Sequence, residues 1–124
     1  MSHPFHAHTG LTVERAADGT ARLRMAWKPE HTQSFGTLQG GYLAMIADAA
    51  VYMAAETLMK PGESLTTVEL KTNFLGPVRG EDVVAEASIV KRGRTIVLGD
   101  VIVKTGSGQL VGKSLVTYMV LRSG

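Results

Sequence analysis

The chain has 124 residues, 44% of them apolar and 19% charged, with a formal net charge of +2 and no cysteine. That length suits one domain with a real core, and the composition is that of a globular chain, not a disordered one. So small a net charge excludes a general nucleic-acid binder, which needs concentrated basic surface, and the lack of cysteine excludes disulfides, thiolate metal sites and cysteine nucleophiles.

Residues 1–9 read as a loose arm ahead of a single domain over 10–124. The opening MSHPFHAHTG lacks the basic-then-apolar order of a signal peptide. His3, His6 and His8 alternate in the arm, but no carboxylate or cysteine stands beside them, so they read as tail and no metal site is expected.

LTVERAADGTARLRMAW alternates around Asp18-Gly19, a hairpin signal that predicts strands over about 10–17 and 20–28. KPEHTQSFGTL reads as a loop, with His31 on its surface. Residues 40–59 place Leu43, Ile46, Ala47, Ala50, Val51, Ala54 and Leu58 at helical spacing, and KPGES ends that helix. Strands then follow over 65–76, 82–93, 94–108 and 109–122, with turns at Gly80-Glu81, Arg92-Gly93 and Gly106 to Gly108.

Two strands, one long helix and four strands, without strand–helix alternation, indicate an α+β fold: an antiparallel sheet with one helix on its face. The helix is apolar nearly all round, which predicts a further partner for it and hence a homo-oligomer, most simply a twofold dimer. The apolar run over 40–59 holds a carboxylate at its centre and is a poor membrane span, so a cytoplasmic protein with no membrane partner is expected.

That carboxylate, Asp48, is the only formally charged side chain between His31 and Glu56. Burying it is costly without a partner. The helix begins at Gly40 and Gly41, which leave the first-turn amides uncovered, so that a carbonyl or anionic oxygen can approach them. Such a helix start can act as an oxyanion hole. Asp48 lies about 12 Å further along the axis at the rise per residue of a helix. The two features converge on one atom only if two antiparallel helices come from different chains.

QSFGTLQGGYLAMIADAA resembles the hotdog-fold acyl-CoA thioesterases, and within them the phenylacetate-degradation (PaaI-like) branch. Gln33, Gly36, Gln39, Gly40, Gly41 and Asp48 fall in the register of that branch's motif. The later TVELKTNFLGPVRGEDVVAEASIVKRGRTIVLGDVIV also looks like this family, and the match spans roughly residues 10–122. The resemblance implies a long helix wrapped by a curved antiparallel sheet, a homodimer or a homotetramer of paired dimers, and hydrolysis of an acyl-CoA to an acid and CoA without a cofactor. It implies that the Gly40 amide polarises the thioester carbonyl and that Asp48 of the other subunit is nucleophile or general base. Gln33 binds substrate or the attacking water, and Thr67 places water, with Thr66 as its alternating neighbour. Gln39 and Gly41 complete the substrate-binding turn.

Two departures stand out. Gln39 replaces the motif's usual histidine, and glutamine cannot titrate near neutrality. Tyr52 stands where other relatives carry Ser or Thr one helical turn after the acid. Lys91, Arg92 and Arg94 surround a glycine turn and suit the phosphates of CoA, with Arg79 a weaker candidate. Tyr42, Met45, Tyr52, Met53 and Met59 read mainly as core or interface; Phe35 and Phe74 are candidates for an acyl pocket. A non-catalytic acyl-CoA or small-ligand-binding protein is the alternative reading.

Overall fold

In a computed structural model, which describes residues 10–32 and 36–123, the first hairpin turns where its sequence places it. Asp18 and Gly19 both take positive φ, 53° and 76°. A two-residue turn of that kind matches the twist of its flanking strands. The strands are β1 (Leu11–Ala17) and β2 (Thr20–Met25). β2 stops short of residue 28 because the backbone leaves the ladder there: the Trp27 amide donates to Asp82 Oδ1 at 2.8 Å. A 3-10 turn follows at Pro29–His31, where proline presets the first turn.

The helix α1 spans Gly40–Glu56 and buries Leu43, Ile46, Ala47, Ala50, Val51, Ala54 and Ala55. It ends before residue 59. The Thr57 hydroxyl donates back to Ala54 O at 2.7 Å and accepts from the Gly19 amide at 2.7 Å, tying the helix end to the first hairpin. Then come β3 (Glu63–Phe74), β4 (Val83–Arg92), β5 (Ile96–Thr105) and β6 (Leu110–Arg122). The ends differ from the sequence reading by up to three residues.

All six strands form one antiparallel sheet in the order β1-β2-β4-β5-β6-β3. The expected architecture, one long helix against a curved antiparallel sheet, is the one observed. Residues opposite one another in such a ladder share a face. Met25, Val83, Val97, Val101, Val103, Val111, Val116 and Tyr118 thereby join the helix in the core. At Gly99 the helix comes closest: a Cβ there would lie 2.2 Å from Val51 Cγ1. β3 terminates the sheet, and its helix-side residues Leu70 and Phe74 stay 37% and 58% exposed, so this end of the core is only half covered.

Candidate active site

Asp48 sits half-buried in the middle of α1, and β6 supplies its partner. The Tyr118 hydroxyl lies 2.7 Å from Asp48 Oδ1 and 2.8 Å from the Asp48 main-chain oxygen. Tyr118 is 1% exposed, and the Tyr52 ring meets it edge-on at 6.0 Å and 78°. Burial, reinforced by Asp48, pushes this phenol far above the ordinary tyrosine range, so it remains a protonated donor. The lone carboxylate in the apolar helix is thus hydrogen-bonded, as a buried polar group must be.

Thr67 pairs with Tyr118 across the β3–β6 ladder, and Thr66 pairs with Met119. Thr67 therefore shares the helix-side face with Tyr118, while Thr66 points to the opposite face. Both are exposed.

At the other end of the helix axis, Gln39 is the N-cap and gives no side-chain cap to the first turn. Its amide donates to His31 O at 3.0 Å, and among the described residues its side chain reaches Thr32 O, at 3.5 Å. The loop is closed by the Leu38 amide on Val78 O at 3.0 Å. His31 is not a surface residue, as the loop composition suggested. It is 4% exposed and stacks on Tyr42 with ring centroids 4.2 Å apart. The helix's own first turn covers it, which a reading of the loop alone could not anticipate. A Cβ on Gly40 would lie 3.1 Å from the Phe74 ring, whereas one on Gly41 would meet nothing within 4 Å. Gly40 thus lies beneath an aromatic edge and Gly41 faces open space. Gln33 and Phe35, like the histidines of the arm, lie outside the described residues.

The basic cluster divides. Arg92 and Arg94 join Lys60, Arg122 and Glu63 around a cavity of about 240 Å³ that also touches Leu58. Glu63 pairs with Arg92 and, at 3.2 Å, with Arg122, and accepts from the Lys60 amide at 2.9 Å. The Lys60 amide and then Arg92 hold the Glu63 carboxyl below the usual glutamate range. The Arg92 guanidinium is therefore partly committed within the protein. Lys91 is not in this cluster. It pairs with Leu98 and points to the other face, where it borders a second cavity of about 350 Å³ with Ile96 and Leu98; Arg94 lines both cavities and so links Lys91 to the cluster. Arg79 is exposed and lines neither cavity. Arg92, Val97, Tyr118 and Thr67 occupy one row across the sheet. At the usual strand spacing, Arg92 lies about 10 Å from Tyr118 along that row.

Sequence reasoning missed Tyr118, Arg122, Lys60 and Glu63. The signal for Tyr118 was a single aromatic among the inward-facing valines of SLVTYMVL; for the others there was none, since contacts between distant strands create their cluster.

With this geometry in place, the comparisons with known proteins agree. Residues 35–112 match the thioesterase superfamily profile. Human acyl-coenzyme A thioesterase 13 is 30% identical over 105 residues, covering 83% of this chain and 74% of its own. A thioesterase family protein from Silicibacter pomeroyi superposes with a TM-score of 0.93 at 30% identity, covering 98% of this chain and 91% of its own. A thioesterase from Haemophilus influenzae gives a TM-score of 0.89 at 24% identity, over 95% of this chain and 82% of its own. The fold is the hotdog fold. The chain belongs to the thioesterase superfamily and is, by that membership, a thioester hydrolase.

Proposed function

We propose that the protein hydrolyses an acyl-CoA thioester at sites shared across a twofold dimer, with Asp48 as the catalytic carboxylate. The observation that carries this is a half-buried carboxylate, held at one oxygen by Tyr118, beside the half-covered end of the sheet. The likeness to acyl-coenzyme A thioesterase 13 supports CoA as the thiol carrier. No nucleic acid, membrane or cofactor enters this reaction.

The dimer reading rests on β3. This strand ends the sheet, is 12 residues long, and exposes Leu70 and Phe74 on the helix side. A long open edge of that kind is a template for strand pairing. A second β3 laid antiparallel about Lys71 sets Leu70 opposite Thr72 on the helix side and, across the bulge at Val68, brings Thr67 beside Phe74 of the partner subunit. The Asp48 row of one chain then adjoins the helix start of the other, covering the separation along α1 that one chain cannot bridge. Two such dimers pair into a tetramer in the fuller form of this reading.

Within that site the Gly40 amide donates to the thioester oxygen as negative charge develops on it, and Gly41 leaves room for the approach. Gln33 and Thr67 hold the water, and Gln39 orients the turn in place of a histidine. Asp48 acts as general base or as nucleophile, and either role uses Oδ2, the oxygen that Tyr118 does not hold. As base it takes a proton from water, whose oxygen attacks the carbonyl carbon. The carbon–sulfur bond then breaks and the proton passes to the thiolate, giving acid and CoA. Arg92 and Arg94 bind the CoA phosphates, joined by Arg122 and Lys60, and Lys91 extends the basic rim.

The test is thiol release from short, long, branched and aryl acyl-CoAs by wild type and Asp48→Asn. Turnover is expected to fall by about 1,000-fold or more in the variant with melting temperature retained. Full turnover in Asp48→Asn would overturn the reading. CoA esters bound but never consumed by wild type would establish the ligand-binding alternative, which the replacement of histidine by Gln39 favours.

A further inference from the structure

We infer that Tyr118 is a positioning residue for catalysis, fixing the Asp48 carboxylate so that one oxygen is held and the other is presented to substrate. This rests on the reading of Asp48 as the catalytic carboxylate. A phenol carries one proton, and here it faces two acceptors on the same residue, the carboxylate at 2.7 Å and the main-chain oxygen at 2.8 Å. The main-chain oxygen lies inside α1 and is within reach of the amide four residues on, as in any helix. The charged carboxylate is the stronger acceptor, and charge-assisted bonds are roughly twice as strong as neutral ones.

Three features make the contact a built one. Tyr118 is fully buried, so its hydroxyl cannot exchange this partner for bulk water. Its ring is fixed from two sides, by the β6 backbone and by Tyr52 on the helix turn after Asp48. Its hydroxyl is held in the protonated form by burial and by Asp48, so the donor persists through the neutral range. Oδ2 receives no hydrogen bond from a described residue, which leaves it to act. An aspartate on a helix otherwise samples several rotamers, and each rotamer swings the carboxylate relative to a bound carbonyl. A misplacement of about 1 Å can cost on the order of 100-fold in rate.

The experiment compares kcat and KM for wild type, Tyr118→Phe and Asp48→Asn on the best acyl-CoA, beside melting temperature at matched protein concentration. Tyr118→Phe is expected to lower kcat about 10- to 100-fold, the value of one hydrogen bond to a charged group, with KM unchanged within about twofold. A residue that only supports the fold would lower melting temperature and leave the kcat of the folded fraction intact. If Asp48→Asn is inactive while Tyr118→Phe keeps wild-type kcat, the positioning role is overturned and the parent reading stands. If Asp48→Asn is fully active, the parent reading falls and the positioning role with it. Should Tyr118→Phe fail to fold, 3,5-difluorotyrosine at position 118 keeps the hydroxyl and changes its donor strength. A changed kcat at constant KM is then expected, and an unchanged kcat overturns the inference.

Discussion

Gly99→Ala tests how the helix is seated on the sheet. The new Cβ would lie 2.2 Å from Val51 Cγ1 and 3.3 Å from both Val51 Cβ and Cγ2. Rotating the valine gives little relief, because a helical valine holds one χ1 rotamer strongly and its second methyl is already 3.3 Å from the new atom. Val51 is fully buried, so the helix must retreat from β5 by more than 1 Å, estimated from an ordinary carbon–carbon contact of about 3.5 Å. Overpacking of this kind costs about 1–3 kcal/mol. At about 2.1 cal/mol/K of unfolding entropy per residue, that lowers the melting temperature of a chain of this length by roughly 4–12 °C. Val51 follows Asp48 by one turn, so the retreat also moves the carboxylate away from Tyr118, and kcat should fall with stability. The assay is thermal unfolding at one protein concentration, with Val51→Ala and the double variant beside Gly99→Ala. Val51→Ala alone should cost about 2 kcal/mol, from two lost methyl groups. In the double variant the valine methyls are absent, so it should melt no lower than Val51→Ala. A Gly99→Ala protein that melts within about 1 °C of wild type, or a double variant that loses the full sum of the singles, would refute this packing argument.

The remaining predictions concern the site. Gly40→Pro deletes one amide hydrogen at the first helical position, where proline is tolerated, and Gln39 already has the extended backbone that precedes proline (φ −64°, ψ 138°). It should fold and lose most turnover; retained kcat would remove Gly40 as the oxyanion donor. Gly40→Pro mixed and refolded with Asp48→Asn should regain about a quarter of wild-type activity, because half the dimers are hybrids with one intact site. No recovery, with hybrid dimers demonstrated, would show that each chain works alone. Glu63→Gln should flatten the loss of stability in acid. The folded Glu63 carboxyl is held below its ordinary value of 4.5, so its contribution is full above that pH and lost as pH falls through the folded value. The melting temperature of wild type should therefore drop more steeply below pH 4.5 than that of the variant, and parallel curves would contradict the assignment.

Local physics wrote the elements into the sequence. Asp18-Gly19 specified its hairpin because few other residues accept positive φ, and the spacing from Leu43 to Ala54 specified a helix because those positions return to one face every turn. Asp48 was legible as an anomaly, since a carboxylate in an apolar run needs a reason. Only the tertiary structure supplied its partner: Tyr118 is 70 residues away, and ladder register, which no local pattern encodes, turns its ring inward. Register also separated Lys91 from Arg92, neighbours in sequence that point to opposite faces, and joined Arg92 and Arg122 around Glu63. His31 was misread as exposed for the same reason, because burial belongs to whatever packs over a residue, here the ring of Tyr42. Sequence determined where the chain bends, coils and extends, through forces that act within a few residues. The fold alone decided which distant side chains meet, because contacts between strands and helix are set by the closure of the whole sheet.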